Sequence, residues 1–178
     1  GNRFFHSAMG EHEKSLQESY IYWEIIMKIF VQVGNGKFES LIKEIDRLLE
    51  TKQITAQVTC QIGHGEYIPK HCEWFTFESP LTKYQNEADL VISHGGPGSV
   101  FEILRKEKKL IAIPNRNRTD PRHQVEFLEA LSKETESLIY CDEFKNILEA
   151  IEKAKEKLFV KYERPICTMG EKIKEFLK

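Results

Sequence analysis

One segment constrains the fold more than any other. Over residues 88–104 (ADLVISHGGPGSVFEIL) a β-branched apolar run passes through a glycine-rich turn directly into a helical pattern. Gly95, Gly96 and Gly98 remove side chains where a backbone must approach a ligand. Pro97 fits the first helical turn without wasting a donor, and Ser99 adds a hydroxyl. The free N–H groups and the positive dipole end of the helix then face whatever lies beyond the strand's carboxyl end. A phosphate or diphosphate is the expected occupant. No Lys-Ser or Lys-Thr follows the glycines, and no G-x-G-x-x-G falls at a strand-to-helix junction, so the common nucleotide motifs are absent.

Around this segment strand and helix patterns alternate. Period and composition predict strands over 29–33, 58–62, 73–77, 90–93, 110–113 and 138–141. Helices are predicted over 38–49 and 80–87, from Pro97, over 123–131 and over 144–159. Strands separated by helices of this length imply right-handed crossovers. The fold class is therefore α/β: a Rossmann-like parallel sheet with helices on both faces. A terminal helix over 165–178 is expected to pack across the sheet. Residues 1–26 do not share the pattern and read as a lead, from an expression tag or a partner, ahead of one domain over 27–178.

At 178 residues the chain can bury one good core but not two Rossmann-like domains. With 26 basic and 28 acidic residues it has no positive excess with which to neutralise a nucleic acid. A local basic group, Arg116, Arg118 and Arg122, lies in a loop and suits a single anionic ligand. Cys60, Cys72, Cys141 and Cys167 are far apart and lack C-x-x-C or zinc spacing, so reduced thiols are expected, with Cys60 and Cys141 buried. No Asp-x-Asp pair is present to hold a metal. The longest largely apolar stretch, 20–33, contains Glu24 and Lys28 and is too short to span a bilayer. No secretory signal pattern is evident.

In an open α/β sheet ligands gather at the carboxyl ends of the strands, where three glycine turns fall. Gly34-Asn35-Gly36 brings backbone N–H groups towards a diphosphate, or is an ordinary tight turn. His94 orients a leaving phosphate, or simply packs in its turn. Glu102 lies one turn into the helix after Ser99, near enough to the phosphate site to reach sugar hydroxyls. His123-Gln124 opens the next helix, and Asp120 either serves the ligand or caps the turn before Pro121. His64 and His71 have no partners at useful spacing and are read as non-ligands.

Three motifs in order carry a family resemblance over roughly residues 27–135. They are MKIFVQVGNGKF at 27–38, H-G-G-P-G-S with Glu102 three residues after the Ser, and Pro114 leading to Asp120-Pro121-Arg122-His123-Gln124 and the 126–131 helix. Together they resemble the nucleotide-sugar half of glycosyltransferase family 28. The likeness extends to its short members, which serve dolichol-linked N-acetylglucosamine transfer and bacterial exopolysaccharide β-glucosyl transfer.

The resemblance implies the donor-binding half of a two-domain GT-B fold. It implies inverting transfer from UDP-glucose or UDP-N-acetylglucosamine to a polyprenyl-diphosphate-linked acceptor, without a metal or other cofactor. Glu102 would accept from ribose, Gln124 would bind the transferred sugar, and Gly98-Ser99 would stabilise departing UDP. The catalytic base would lie on a separate membrane-associated, acceptor-binding subunit; His94 and His123 are the candidates within this chain. The protein would then sit at the cytoplasmic face of a membrane through that partner, and pair with its own copy when the partner is absent. Many relatives have Asp-x-His-Gln where this chain has Asp-Pro-Arg-His-Gln, which shifts Asp120 by one residue. The alternative is a non-catalytic nucleotide-sugar-binding or regulatory subunit; a UDP-sugar 2-epimerase would need a second domain.

Overall fold

The computed structural model describes residues 26–117 and 119–163. Among them, six strands form one parallel sheet in the order β3-β2-β1-β4-β5-β6. The strands are β1 (Lys28–Gln32), β2 (Gln57–Gln61), β3 (Glu73–Phe75), β4 (Leu90–His94), β5 (Lys109–Ile113) and β6 (Ile139–Tyr140). The helices are α1 (Glu39–Glu50), α2 (Thr82–Glu87), α3 (Pro97–Arg105), α4 (His123–Glu134) and α5 (Ile147–Glu156).

Alternation along the strands builds a core on each face, because successive side chains point to opposite sides of a sheet. Ile29, Val31, Ile92 and Ile111 pack with Leu41, Ile45 and Leu48 of α1 and Ile147 and Ile151 of α5. Phe30, Val91, Leu110 and Ala112 pack with Val100, Ile103 and Leu104 of α3 and Leu128 and Leu131 of α4. The α/β class and helices on both faces are as the sequence implied.

Several boundaries differ from expectation. The third strand stops at Phe75 rather than 77, and the sixth shrinks to two residues. The helix expected from 80 starts at Thr82, one residue past Leu81, which follows the cis Ser79–Pro80 bond. The helix expected over 144–159 is a 3-10 turn, Phe144–Asn146, followed by α5, which ends at Glu156. Beyond it the chain runs on irregularly, so that Phe159 joins the α1/α5 core while Tyr162 joins the α3/α4 core. A continued helix could not reach both faces. The lead over 1–26, all but its last residue, and the helix over 165–178 lie outside the described residues, as do Arg118 and Cys167.

Cys60 and Cys141 are buried as expected. Cys60 and Cys72 are twelve apart in sequence, yet their sulfurs lie 3.6 Å apart, with Cys72 just ahead of β3, the neighbour of β2. Both are free thiols. The contact with Cys72, together with burial, pushes the Cys60 thiol well above its ordinary range.

The segment before Cys72 is anchored by Asp46 of α1. That carboxylate accepts from the Tyr67 hydroxyl at 2.6 Å, from the Lys70 and His71 backbone N–H groups at 2.9 and 2.8 Å, and from His71 Nδ1 at 3.1 Å.

Candidate functional site

Strand order reverses between β1 and β4, the switch point at which open α/β sheets bind ligands. A cleft of about 440 Å³ opens beside the end of β4, lined by His94, Gly96, Pro97, Gly98, Ser99, Thr119, Asp120, His123 and Gln124. Two helices begin at it, α3 at Pro97 and α4 at His123, and among the described residues no side chain caps either terminus. Their uncapped N–H groups and dipole ends favour negative charge in the same space.

Gly96, Gly98, Ser99, Asp120, Gln124, His94 and His123 are thus brought together as the sequence suggested. Gly98 has open space where a Cβ would stand, and backbone can approach a ligand there. Gln124 is 3% exposed. Its Oε1 accepts from the Asn115 backbone N–H at 2.8 Å, and its Nε2 donor takes no hydrogen bond among the described residues. Asp120 Oδ1 accepts from the Arg122 N–H at 3.0 Å, which closes the turn ahead of α4.

The remaining candidates are placed elsewhere. Gly95 does not line the cleft; a Cβ there would stand 2.7 Å from Leu128 Cδ1, so this glycine lets α4 pack closely on the β4 turn. Gly34 and Asn35 do not line it either. The Gly34 N–H, expected to face a diphosphate, donates instead to Gln61 Oε1 at 2.9 Å, and Gly34 C=O accepts from Gln61 Nε2 at 2.8 Å. The Asn35 carbonyl lies 2.6 Å from His64 Nδ1. Gly34 has φ of +69°, and a Cβ on it would stand 2.7 Å from His94 Cε1; one on Gly96 would stand 2.6 Å from His94 Nε2. The His94 ring, 7% exposed, is therefore wedged between two glycine turns.

Glu102 does not line the cleft. It lies on the flank of α3 turned towards α2, where its Oε1 accepts from Lys106 at 2.9 Å. The basic group is dispersed as well. Arg116 forms a short ion pair with Asp142, which raises the guanidinium further and holds the carboxyl below its usual range. Arg122 is 84% exposed and only 4.0 Å from Glu126. Among the described residues no group of three His, Cys, Asp or Glu side chains could hold a metal.

Two residues that shape the site went unnoticed in the sequence. Gln61 clamps the first glycine turn, donating also to the Thr76 carbonyl at 3.0 Å. Asn115 ties its own loop to the segment after β1 and to α4: its Nδ2 donates to the Lys37 carbonyl at 2.9 Å, its Oδ1 accepts from the Asn117 N–H at 3.1 Å, and its own N–H meets Gln124. Both are buried amides at or just beyond a strand's carboxyl end. A polar residue in that position was the available signal, since a buried amide must find partners.

Fold and cleft together define a Rossmann-like domain of the GT-B kind. The chain belongs to the glycosyltransferase family 28 C-terminal domain family, which it matches over residues 6–178. It is 32% identical to the UDP-N-acetylglucosamine transferase subunit ALG13 of Homo sapiens over 124 residues, 64% of this chain and 11% of that protein. The chain thus spans a small part of that relative. Its fold resembles the solution structure of ALG13, with a TM-score of 0.54 at 17% identity over 83% of this chain and 94% of that one. It also resembles MurG of Acinetobacter baumannii, with a TM-score of 0.54 at 14% identity over 75% of this chain and 42% of that one.

Proposed function

We propose that the chain is the donor-binding catalytic subunit of an inverting UDP-sugar glycosyltransferase that acts with a separate acceptor-binding subunit. The observation that carries this reading is the meeting of two uncapped helix N-termini at one cleft beside the strand switch point. A nucleoside diphosphate suits it: the α3 terminus at Gly98 and Ser99 takes the diphosphate, and the α4 terminus with the Gln124 Nε2 donor takes the sugar. Glu102, on the flank of α3 turned towards α2, accepts from the ribose. UDP-N-acetylglucosamine is favoured over UDP-glucose by the name of the human relative.

In the reaction an acceptor hydroxyl attacks the anomeric carbon, the bond from that carbon to the β-phosphate oxygen breaks, and UDP leaves. Negative charge grows on the departing oxygen, where the helix N-termini stabilise it without reorganising. Donor binding needs no metal on this reading. The proton passes to a base on the second subunit, which also closes the cleft against water; His94 and His123 are the nearest imidazoles on this side. The acceptor is a polyprenyl-diphosphate-linked sugar, and a membrane-associated partner holds the chain at the cytoplasmic face. No helix among the described residues is long and apolar enough to cross a membrane.

Calorimetric titration with UDP in the presence of EDTA tests the reading. Weak binding without divalent ions is expected; binding that needs Mg or Mn, or none at all, overturns it. Transfer should appear only when an acceptor-binding subunit is added, and full turnover by the chain alone would refute the two-subunit reading.

A further inference from the structure

Lys106 lies one helical turn beyond Glu102, and the sequence offers no reason to single it out. Its ammonium has three donors, and all three are used. One meets Glu102 Oε1 at 2.9 Å, one meets Thr82 Oγ1 at 3.2 Å, and one makes a short hydrogen bond to Gln85 Oε1. Thr82 and Gln85 belong to α2, so the lysine ties α3 to its neighbour. Gln85 is fully buried and donates through Nε2 to Gln32 Oε1 of β1 at 2.9 Å. The ammonium is thus braced, through Gln85, against the sheet.

An exposed i,i+4 Glu–Lys pair is ordinarily loose and contributes little. This pair is different because the cation cannot follow the carboxylate: two further acceptors on another helix hold it, and its side chain is only 22% exposed. The Glu102 side chain is 44% exposed; one oxygen is held while the other, Oε2, has no hydrogen bond among the described residues. A carboxylate fixed in this way can accept from two neighbouring hydroxyls without first losing rotamer freedom.

We propose that Lys106 is a positioning residue that orients the Glu102 carboxylate for the vicinal hydroxyls of the ligand's ribose and so sets the preference for a ribonucleotide. This rests on the reading of Glu102 as the ribose acceptor. Lys106 touches neither the phosphates nor the sugar being transferred; it acts through Glu102.

The test compares UDP with 2′,3′-dideoxy-UDP, which keeps the base and diphosphate but lacks both hydroxyls, by calorimetry on the folded chain and its variants. Wild type should prefer UDP. Lys106→Met should bind UDP about tenfold more weakly, the scale of losing the orientation of a charge-assisted hydrogen bond, with affinity for the dideoxy analogue unchanged. Lys106→Arg should restore most of the preference. Thr82→Ala removes one brace from α2 without touching α3; it should cause a smaller loss in the same direction and keeps the proposal testable if Lys106→Met does not fold. Equal weakening of both ligands by Lys106→Met would mark a purely structural role and overturn the proposal, as would an unchanged preference. Glu102→Gln separates the two levels. If that variant keeps the preference for UDP, the ribose reading itself fails; if it abolishes the preference while Lys106→Met retains it, the positioning role alone fails.

Discussion

The two glycine turns at the head of the sheet look alike in sequence and do opposite things. In the first, Gly34-Asn35-Gly36, the backbone is satisfied from within: Gln61 takes both the N–H and the C=O of Gly34, and the Asn35 carbonyl meets His64. In the second, 94–99, the turn runs into an uncapped helix end, and Gly98 faces open space. Glycine at a strand end therefore signals close approach, but the approaching group differs. In the first turn it is the His94 ring; in the second, Leu128 and His94 stand against Gly95 and Gly96, and Gly98 alone of the three faces open space. What separates a structural turn from a binding turn is whether its N–H groups already have acceptors.

The largest expected break comes at Gly34. Gly34→Ala would place an L side chain at positive φ and drive it into the His94 ring. Urea unfolding should show a loss of about 3 kcal/mol, the sum of left-handed strain and overpacking. Stability close to wild type would mean that the first turn is not packed as described.

Gln61→Leu comes next. It leaves the Gly34 N–H without its acceptor and takes the side-chain acceptor from the Val33 N–H, which keeps only the Gln61 carbonyl at 3.3 Å, at a cost of about 2 kcal/mol. Hydrogen exchange should speed at those two amides while the amides of 98–99 are unaffected. Equal acceleration in both turns would erase the distinction between them.

Asp46 gives the pH dependence. The first turn leans on Gly63 and His64, whose connection to β3 is held by this carboxylate. Burial alone would raise the carboxyl, but hydrogen bonds from Tyr67, Lys70 and His71 outweigh it and hold it below its ordinary 3.8. The group is ionised more readily folded than unfolded, so its contribution is fully present above about pH 4 and disappears as pH falls through the lower folded value. Asp46→Asn should lower stability by about 1 to 2 kcal/mol at neutral pH, and the gap from wild type should close in acid unfolding as pH falls through the lowered folded value. A gap that persists there would place the effect in packing rather than in charge.

The smallest effect on stability is expected at Gly98. Gly98→Ala meets nothing within 4 Å, so unfolding should shift by less than about 1 kcal/mol. UDP affinity should nevertheless fall several-fold, because on the proposed reading the added methyl would stand where the backbone approaches the phosphates. Unaltered UDP binding would move the ligand away from this turn.

Much of this could be read from residues alone. Alternating apolar runs marked the strands, and the β4 turn marked, through Gly96, Pro97, Gly98 and Ser99, where a helix starts beside the cleft. What could not be read were the partners of polar groups. Gln61 and Asn115 sit in unremarkable strings, QVTCQ and Ile113-Pro114-Asn115, and their roles depend on loops 27 and 78 positions away. Glu102 was legible as one turn into a helix, yet its side chain answers to Lys106, which Thr82 and Gln85 hold from the neighbouring α2.

The amino-acid sequence by itself determined the α/β class, the faces of the strands and the place where a helix N-terminus opens beyond β4. These depend on period, glycine and proline, which act through neighbours a few residues apart. The tertiary structure alone decided which glycine turn stays open, where α2 braces Lys106, and how two thiols twelve residues apart come within 3.6 Å. A hydrogen bond or a close contact has a range of a few ångströms in space, and only the packed sheet brings positions 34, 61 and 94, or 32, 85 and 106, within it.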